Sequence, residues 1–403
     1  MSNNNSVGVD DPSDLFSASQ IDVRVLRTLY FFYFAGFGII ATFLNVYYRD
    51  RGLSGVQIGI LSSVLPLVAV VAAPMWGMIS DRFGQVRKLL IMSGLSLGIA
   101  ISGIGMADAF FWLVVFTAVY AFFDSSMLTI IDSTTLRSLG KNRERFGRER
   151  VWGSVGFIVA VWGVGFILQQ IGSQWFFLFY LLMILAVLIT LFWLPNQKVS
   201  VKPAIRGSLC NLIFKKNWLV FSITLMLMGL GSFAINGFLG IYIKDLGGSE
   251  GLVGTAAALA TVTELPVMYW GEKILKRFSP WQLLMVAFGT TTLRLFLYGV
   301  MPSAYWVIPI CLLHSLTFGL YWIATIAYVD QLSSDAIKSS AQGMLYSVLN
   351  VSRMLAALVS GFLYDMVGAG SLFLISAAVS LFAILLFWIN KPKNTQTNFG
   401  GVV

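Results

Sequence analysis

Charge is what this chain has least of. Only 11% of its 403 residues are Asp, Glu, Lys or Arg, with one histidine, His314, and two cysteines, Cys210 and Cys311. A soluble chain needs charged side chains to cover its surface, so this scarcity excludes an ordinary water-soluble domain. Two cysteines give no disulfide framework and cannot by themselves build a zinc site. No other cluster has metal-ligand spacing, and no GxxxxGK[ST] phosphate loop occurs, so no cofactor and no ATP-driven pumping are expected. One histidine without a paired nucleophile motif argues against an intramembrane hydrolase, and no enzyme activity is expected.

What is present is hydrophobic. Apolar residues make up 57% of the chain, and the mean hydropathy is +0.81. The excess sits in segments of about 18–25 residues, each long enough to cross the hydrocarbon core as a helix. The spans read as 25–48, 56–79, 88–107, 110–136, 147–170, 174–194, 218–243, 252–273, 281–300, 304–329, 340–363 and 371–390. An all-α membrane protein with twelve transmembrane helices is expected.

The net charge of +9 does not point to nucleic acid, because of where it sits. With an inside N-terminus, most Lys and Arg fall at inside ends, including Arg82, Arg87, Arg137, Arg148, Lys276 and Lys391. Outside ends hold only Arg49, Arg51 and Lys244. This is a positive-inside pattern that places both termini in the cytoplasm of a cell whose inner membrane the chain spans. Basic loops facing anionic lipid explain the charge, with the bilayer as partner. The polar residues 1–22 read as a disordered cytoplasmic tail, not as a signal peptide.

The chain repeats itself. Tyr47-Tyr48-Arg49-Asp50-Arg51-Gly52 returns as Tyr242-Ile243-Lys244-Asp245-Leu246-Gly247, 195 positions on (47 to 242), and Gly59 maps at that offset onto Gly254. Two pseudo-symmetric six-helix units over 23–195 and 218–390 follow, joined by a central cytoplasmic loop at 196–217 and closed by a tail at 391–403. Such parallel repeats place a binding site between them near the bilayer midplane.

Ionisable residues inside apolar spans mark that site. Asp132, Arg150, Glu264, Arg294, His314 and Arg353 lie in or at the edge of such spans. A charge at the bilayer centre costs about 2.5 kcal/mol or more, so these residues are expected to face a cavity or one another. Ser125, Thr129 and Asp132 stand at i, i+4 and i+7, one polar stripe on the fourth helix. Asn45 and Asn236, in the first and seventh spans, are further candidates for substrate contact, as are the aromatic side chains of Tyr33, Tyr321 and Trp322.

The run Gly77-Met-Ile-Ser-Asp81-Arg82-Phe-Gly84-Gln-Val-Arg87-Lys88 resembles the loop motif of the major facilitator superfamily between its second and third helices. The resemblance implies that Gly77, Asp81, Arg82, Gly84 and Arg87 gate the carrier on its cytoplasmic side. More narrowly, Phe146-Gly147-Arg148-Glu149-Arg150-Val-Trp152-Gly153-Ser154-Val-Gly156-Phe157 is similar to the fifth helix of the branch holding lactose permease, nucleoside–proton symporters and phenylpropionate permeases. It implies substrate-binding roles for Asp132, Arg150, Ser154 and Phe157, and proton-coupling roles for Glu264, Arg294, His314 and Arg353. Thr317 stands where lactose permease has a carboxylate, Phe157 replaces its sugar-stacking tryptophan, and Gly229 and Ser232 replace the acids that would pair with Arg353.

The expected function is therefore secondary transport by alternating access, as a monomer. The reading is proton-coupled uptake of a small polar or aromatic solute, an aromatic acid, nucleoside or small glycoside. The alternatives are proton-driven export of amphipathic compounds and a transport-inactive receptor. An arginine presents a planar fork for carboxylate or vicinal hydroxyls, and Asp132 and Arg150 are expected to bond each other in the empty carrier and open to a ligand.

Overall fold

Long apolar stretches in lipid must satisfy their own backbone, and helices do so within one segment. The computed structural model describes residues 23–83, 85–140, 145–195, 215–333 and 337–391, without the side chains of 81–83 and 339. The expected tails and most of the central loop, with Cys210 and Gly84, fall outside these residues. The first helices are α1 Val23–Asp50, α2 Gly55–Phe83, α3 Val86–Met106, α4 Phe110–Leu139, α5 Phe146–Ile171 and α6 Phe176–Leu191. A second set starts with α7 Lys216–Phe233, which runs through a π turn at Ala234–Phe238 into α8 Leu239–Asp245. Then follow α9 Glu250–Arg277, α10 Pro280–Gly299, α11 Val307–Cys311, α12 Leu320–Leu332 and α13 Lys338–Ile389.

Local chemistry explains the ends. Ser279 and Gln282 form a reciprocal capping box at the start of α10, with Pro280 in its first turn. Ser249 caps α9 by accepting the Leu252 N–H. The internal repeat is visible at the turns after α1 and α8, where Gly52 and Gly247 adopt φ of 82° and 78°. Only glycine enters that region without strain, so the repeated glycine has a backbone reason. Gly94-Leu-Ser96-Leu-Gly98 spells a hydrolase nucleophile elbow, yet it lies inside α3 and not on a strand-to-helix turn.

Among the described residues, nine helices are long and apolar enough to cross a membrane, ten when the pair bent by 50° around residues 312–314 counts as one. The 52-residue α13 is two helices run together, since Gly368 inside it is non-helical at φ 78°, ψ 171°. Beyond these, the break at Gly368 divides α13 in two, and α10 is a further helix of 20 residues.

The first six helices pack on one another through α1–α5, α1–α6, α2–α4 and α3–α4, and the second set through α7–α13 and α10–α13. The two sets meet along α2–α13 and α5–α9. Within the first set, Arg27 of α1 holds the buried Glu149 of α5 through its Nε at 2.5 Å and its Nη2 at 3.2 Å. Both oxygens of that carboxylate are thereby engaged. Arg27→Ala is expected to lower stability by about 1–3 kcal/mol because it strips partners from a buried acid. Glu149→Gln should cost less, and thermal unfolding in detergent measures both.

Candidate functional site

The second set builds a continuous polar chain in an apolar surround. Glu264 of α9 lies 2.5 Å from His314 Nε2, and His314 Nδ1 lies 2.7 Å from Arg294 Nη1. The same guanidinium nitrogen donates to Thr317 Oγ1 at 3.1 Å. Its Nε and Nη2 both donate to the Tyr298 hydroxyl, at 3.1 and 2.9 Å. Arg294 is only 2% exposed, so its charge is compensated here or nowhere.

The backbone positions this chain. His314 falls at the bend between α11 and α12, just before a π turn at Ser315–Gly319. Such turns interrupt the regular ladder and turn side chains in directions an unbroken helix does not offer. Proton placement follows from the donors. A guanidinium only donates, so Nδ1 must accept, and Nε2 carries the hydrogen and donates to Glu264. A proton added to the imidazole would set two donors against each other. One added to Glu264 fits on Oε2 and leaves the chain connected.

The first set carries a looser site. Asp132 accepts a hydrogen bond from the Tyr30 hydroxyl at 2.7 Å, while Arg150 Nε is 3.9 Å away. The Asp132 and Arg150 side chains are 30% and 41% exposed, so the pair is not buried. A long, half-exposed ion pair contributes about 0–1 kcal/mol, so Arg150 is free to change partners. Its guanidinium lies over the Phe34 ring at 5.2 Å. Ser125 and Thr129 of the expected stripe donate to carbonyls of their own helix. Ser154 is half-buried. Phe157 is half-buried too, its ring against Gly38 of α1, where an added Cβ would sit 2.8 Å away.

Asn45 and Asn236 part company. Asn45 donates to the carbonyl of Gly237, within the π turn of the second set, at 3.0 Å and accepts from Ser62 at 3.3 Å. It is a strut between the sets. Asn236 is exposed. Arg353 is not brought into the chain of Glu264 and His314; it is exposed on α13 near Tyr321. Gly229 packs directly on Ser352. A ladder of rings climbs from the histidine. His314 stacks on Phe318 at 5.6 Å and Phe318 on Trp322 at 6.2 Å, with Tyr346 of α13 beyond at 6.0 Å.

The sets touch backbone to backbone where α1 ends and α2 begins. A Cβ at Gly59 would meet the Ala357 carbonyl at 2.6 Å, and one at Gly165 the Glu250 carbonyl at 2.9 Å. Gly254 faces the Val161 carbonyl and Gly361 that of Gly55 even more closely. Asp365 clasps the first turn of α2, accepting the N–H groups of Gly55 and Val56 at 2.6 and 2.8 Å. Of the loop motif, Gly77 has open space around it, and Arg87 lies over the Phe192 ring at 5.4 Å. The side chains of Asp81 and Arg82 lie outside the described residues.

A family model described as the MFS_1 like family matches residues 23–375. The chain belongs to that family of major facilitator transporters. The transporter is 26% identical to the uncharacterized transporter YwbF of Bacillus subtilis, over 92% of this chain and 94% of that one. It is 27% identical to the maltose permease of Geobacillus stearothermophilus, covering 92% and 95%. It is 25% identical to the probable 3-phenylpropionic acid transporter of Escherichia coli, covering 92% and 97%. In fold it matches the crystal structure of the nucleoside transporter NupG with a TM-score of 0.80 at 21% identity, over 91% and 98% of the two chains.

Sequence reasoning missed one acid of this transporter. Asp124 lies in the apolar run of α4 and meets the same criterion as the other six ionisable residues. Two turns before Asp132 on the same helix, it accepts from the Tyr33 hydroxyl at 3.2 Å. Its charge inside a span was the available signal.

Proposed function

We propose that the transporter carries a small polar or aromatic organic solute inward, coupled to protons, by alternating access. The observation that carries this reading is the Glu264–His314–Arg294 chain, in which a proton on Glu264 keeps the bond to the histidine but removes the negative charge that balances the buried arginine. A neutral Glu264 loosens its grip on the pair, so protonation and helix movement are linked. Arg150, held only loosely by Asp132, and the exposed Arg353 offer guanidinium forks to a solute carboxylate or to vicinal hydroxyls. The rings of Phe318, Trp322 and Tyr346 supply a face for a flat apolar group. Asn236 and Ser154 are further contacts. Both termini are proposed to be cytoplasmic, which makes the close-packed end external.

Proteoliposomes with an imposed pH gradient test this, using 3-phenylpropionate, uridine and maltose as probes. Accumulation of one probe above its external concentration, abolished by a protonophore, is the expected result. Probe binding without flux would instead identify a receptor. Arg150→Lys keeps the charge but loses the fork, and its exposed setting leaves folding intact. It is expected to weaken solute affinity about 10-fold or more, the loss of a charge-assisted bond of about 1.5–3 kcal/mol. Unchanged affinity would confine Arg150 to a helix clamp.

A further inference from the structure

We propose that Asp124 is a second proton-binding site, separate from the Glu264 chain and built by tyrosines of the first set. Asp124 lies midway along α4, which runs from Phe110 to Leu139, so its carboxyl sits far from either end of the span. Its hydrogen-bond donor is the Tyr33 hydroxyl of α1, at 3.2 Å. Tyr120, one turn earlier on α4, and Tyr180 of α6 complete the surround. All three tyrosines are 5% exposed or less.

No cation compensates this acid among the described residues. Helix α2 carries no titratable side chain between Gly55 and Ser80, and α3 none between Leu89 and Met106. Helix α6 offers only Tyr180. Helix α5 places Glu149 and Arg150 at its start, on Arg27 and Asp132. Helix α1 presents Tyr33, with Tyr30 one turn away on Asp132. An ionised carboxyl surrounded in this way has only neutral donors, and in an apolar span that state is costly. A proton removes the cost.

The phenol makes the exchange reversible. A hydroxyl donates to the carboxylate, and after rotation it accepts from the acid, so Tyr33 serves both protonation states. Tyr30 and Tyr33 share one face of α1 and hold Asp132 and Asp124, so sliding of α1 against α4 alters both acids together. A metal cation is a poorer occupant, since no group of three His, Cys, Asp or Glu side chains converges among the described residues.

The test needs neither solute nor flux, so it stands apart from coupling through Glu264. Infrared difference spectra of the full chain in lipid nanodiscs, recorded while pH is stepped, report each carboxyl that gains a proton. Asp124→Asn is expected to remove one carboxylic-acid band that Glu264→Gln leaves in place. An unchanged spectrum in Asp124→Asn overturns the proposal, as does a band that sodium abolishes at fixed pH. Should Asp124→Asn fail to fold, Tyr33→Phe keeps the acid and removes its donor. A shift of that band and of its titration midpoint supports the site, and no shift overturns it.

Discussion

Glu264→Gln is expected to abolish accumulation of solute against a gradient while leaving exchange of solute across the membrane running. Glutamine still accepts from His314 Nε2, so the bond that is 2.5 Å in the native protein can persist. What is lost is the site that takes the proton without breaking the chain. Solute then moves only down its own gradient, and counterflow of labelled against unlabelled solute continues. The competing reading is a permanent strut, in which Glu264 serves only to neutralise the buried Arg294. A strut predicts poor folding and loss of both activities together. Comparing pH-driven uptake, counterflow and thermal stability in one preparation separates the two. Uptake with an unchanged dependence on external pH would show that the proton enters elsewhere.

The second large effect is expected from the glycines at the close-packed end. Gly59→Leu with Gly254→Leu should hold the transporter open there, abolishing transport while solute binding survives. A Cβ at Gly59 already falls 2.6 Å from the Ala357 carbonyl, and one at Gly254 overlaps that of Val161. Backbone carbonyls cannot step aside as a side-chain tip does. Overpacking costs about 1–3 kcal/mol at each position, enough for two substitutions to displace a balanced equilibrium between conformations. Gly163→Ala, with open space around it in α5, is the control and should transport normally. Solute-induced thermal stabilisation measures binding, and vesicle uptake measures transport. Normal transport by the double variant would mean that this contact never has to form during the cycle.

The sequence by itself determined the all-α membrane class and which ionisable residues lie inside apolar spans. Those follow from composition and from the cost of charge in lipid, which act on each segment alone. The Arg294, His314 and Glu264 set was legible for that reason. So was the duplication, because the glycines after α1 and α8 need the same left-handed backbone. Partnership was not legible. Asp132 was read with Arg150, yet its shorter bond is to Tyr30, a neutral hydroxyl that no charge-based criterion selects. Asn45 and Asn236 are both candidates for substrate contact by sequence, yet a π turn in the second set gives the first a carbonyl to hold, and the second is exposed. Arg353 shares the sequence signature of Glu264, Arg294 and His314, and only the packing of α13 sets it apart from them. Local sequence decides which residues may not face lipid. Which residue each of them meets depends on helix rotation, bends and register between segments distant in the chain, and these are fixed only when the helices pack.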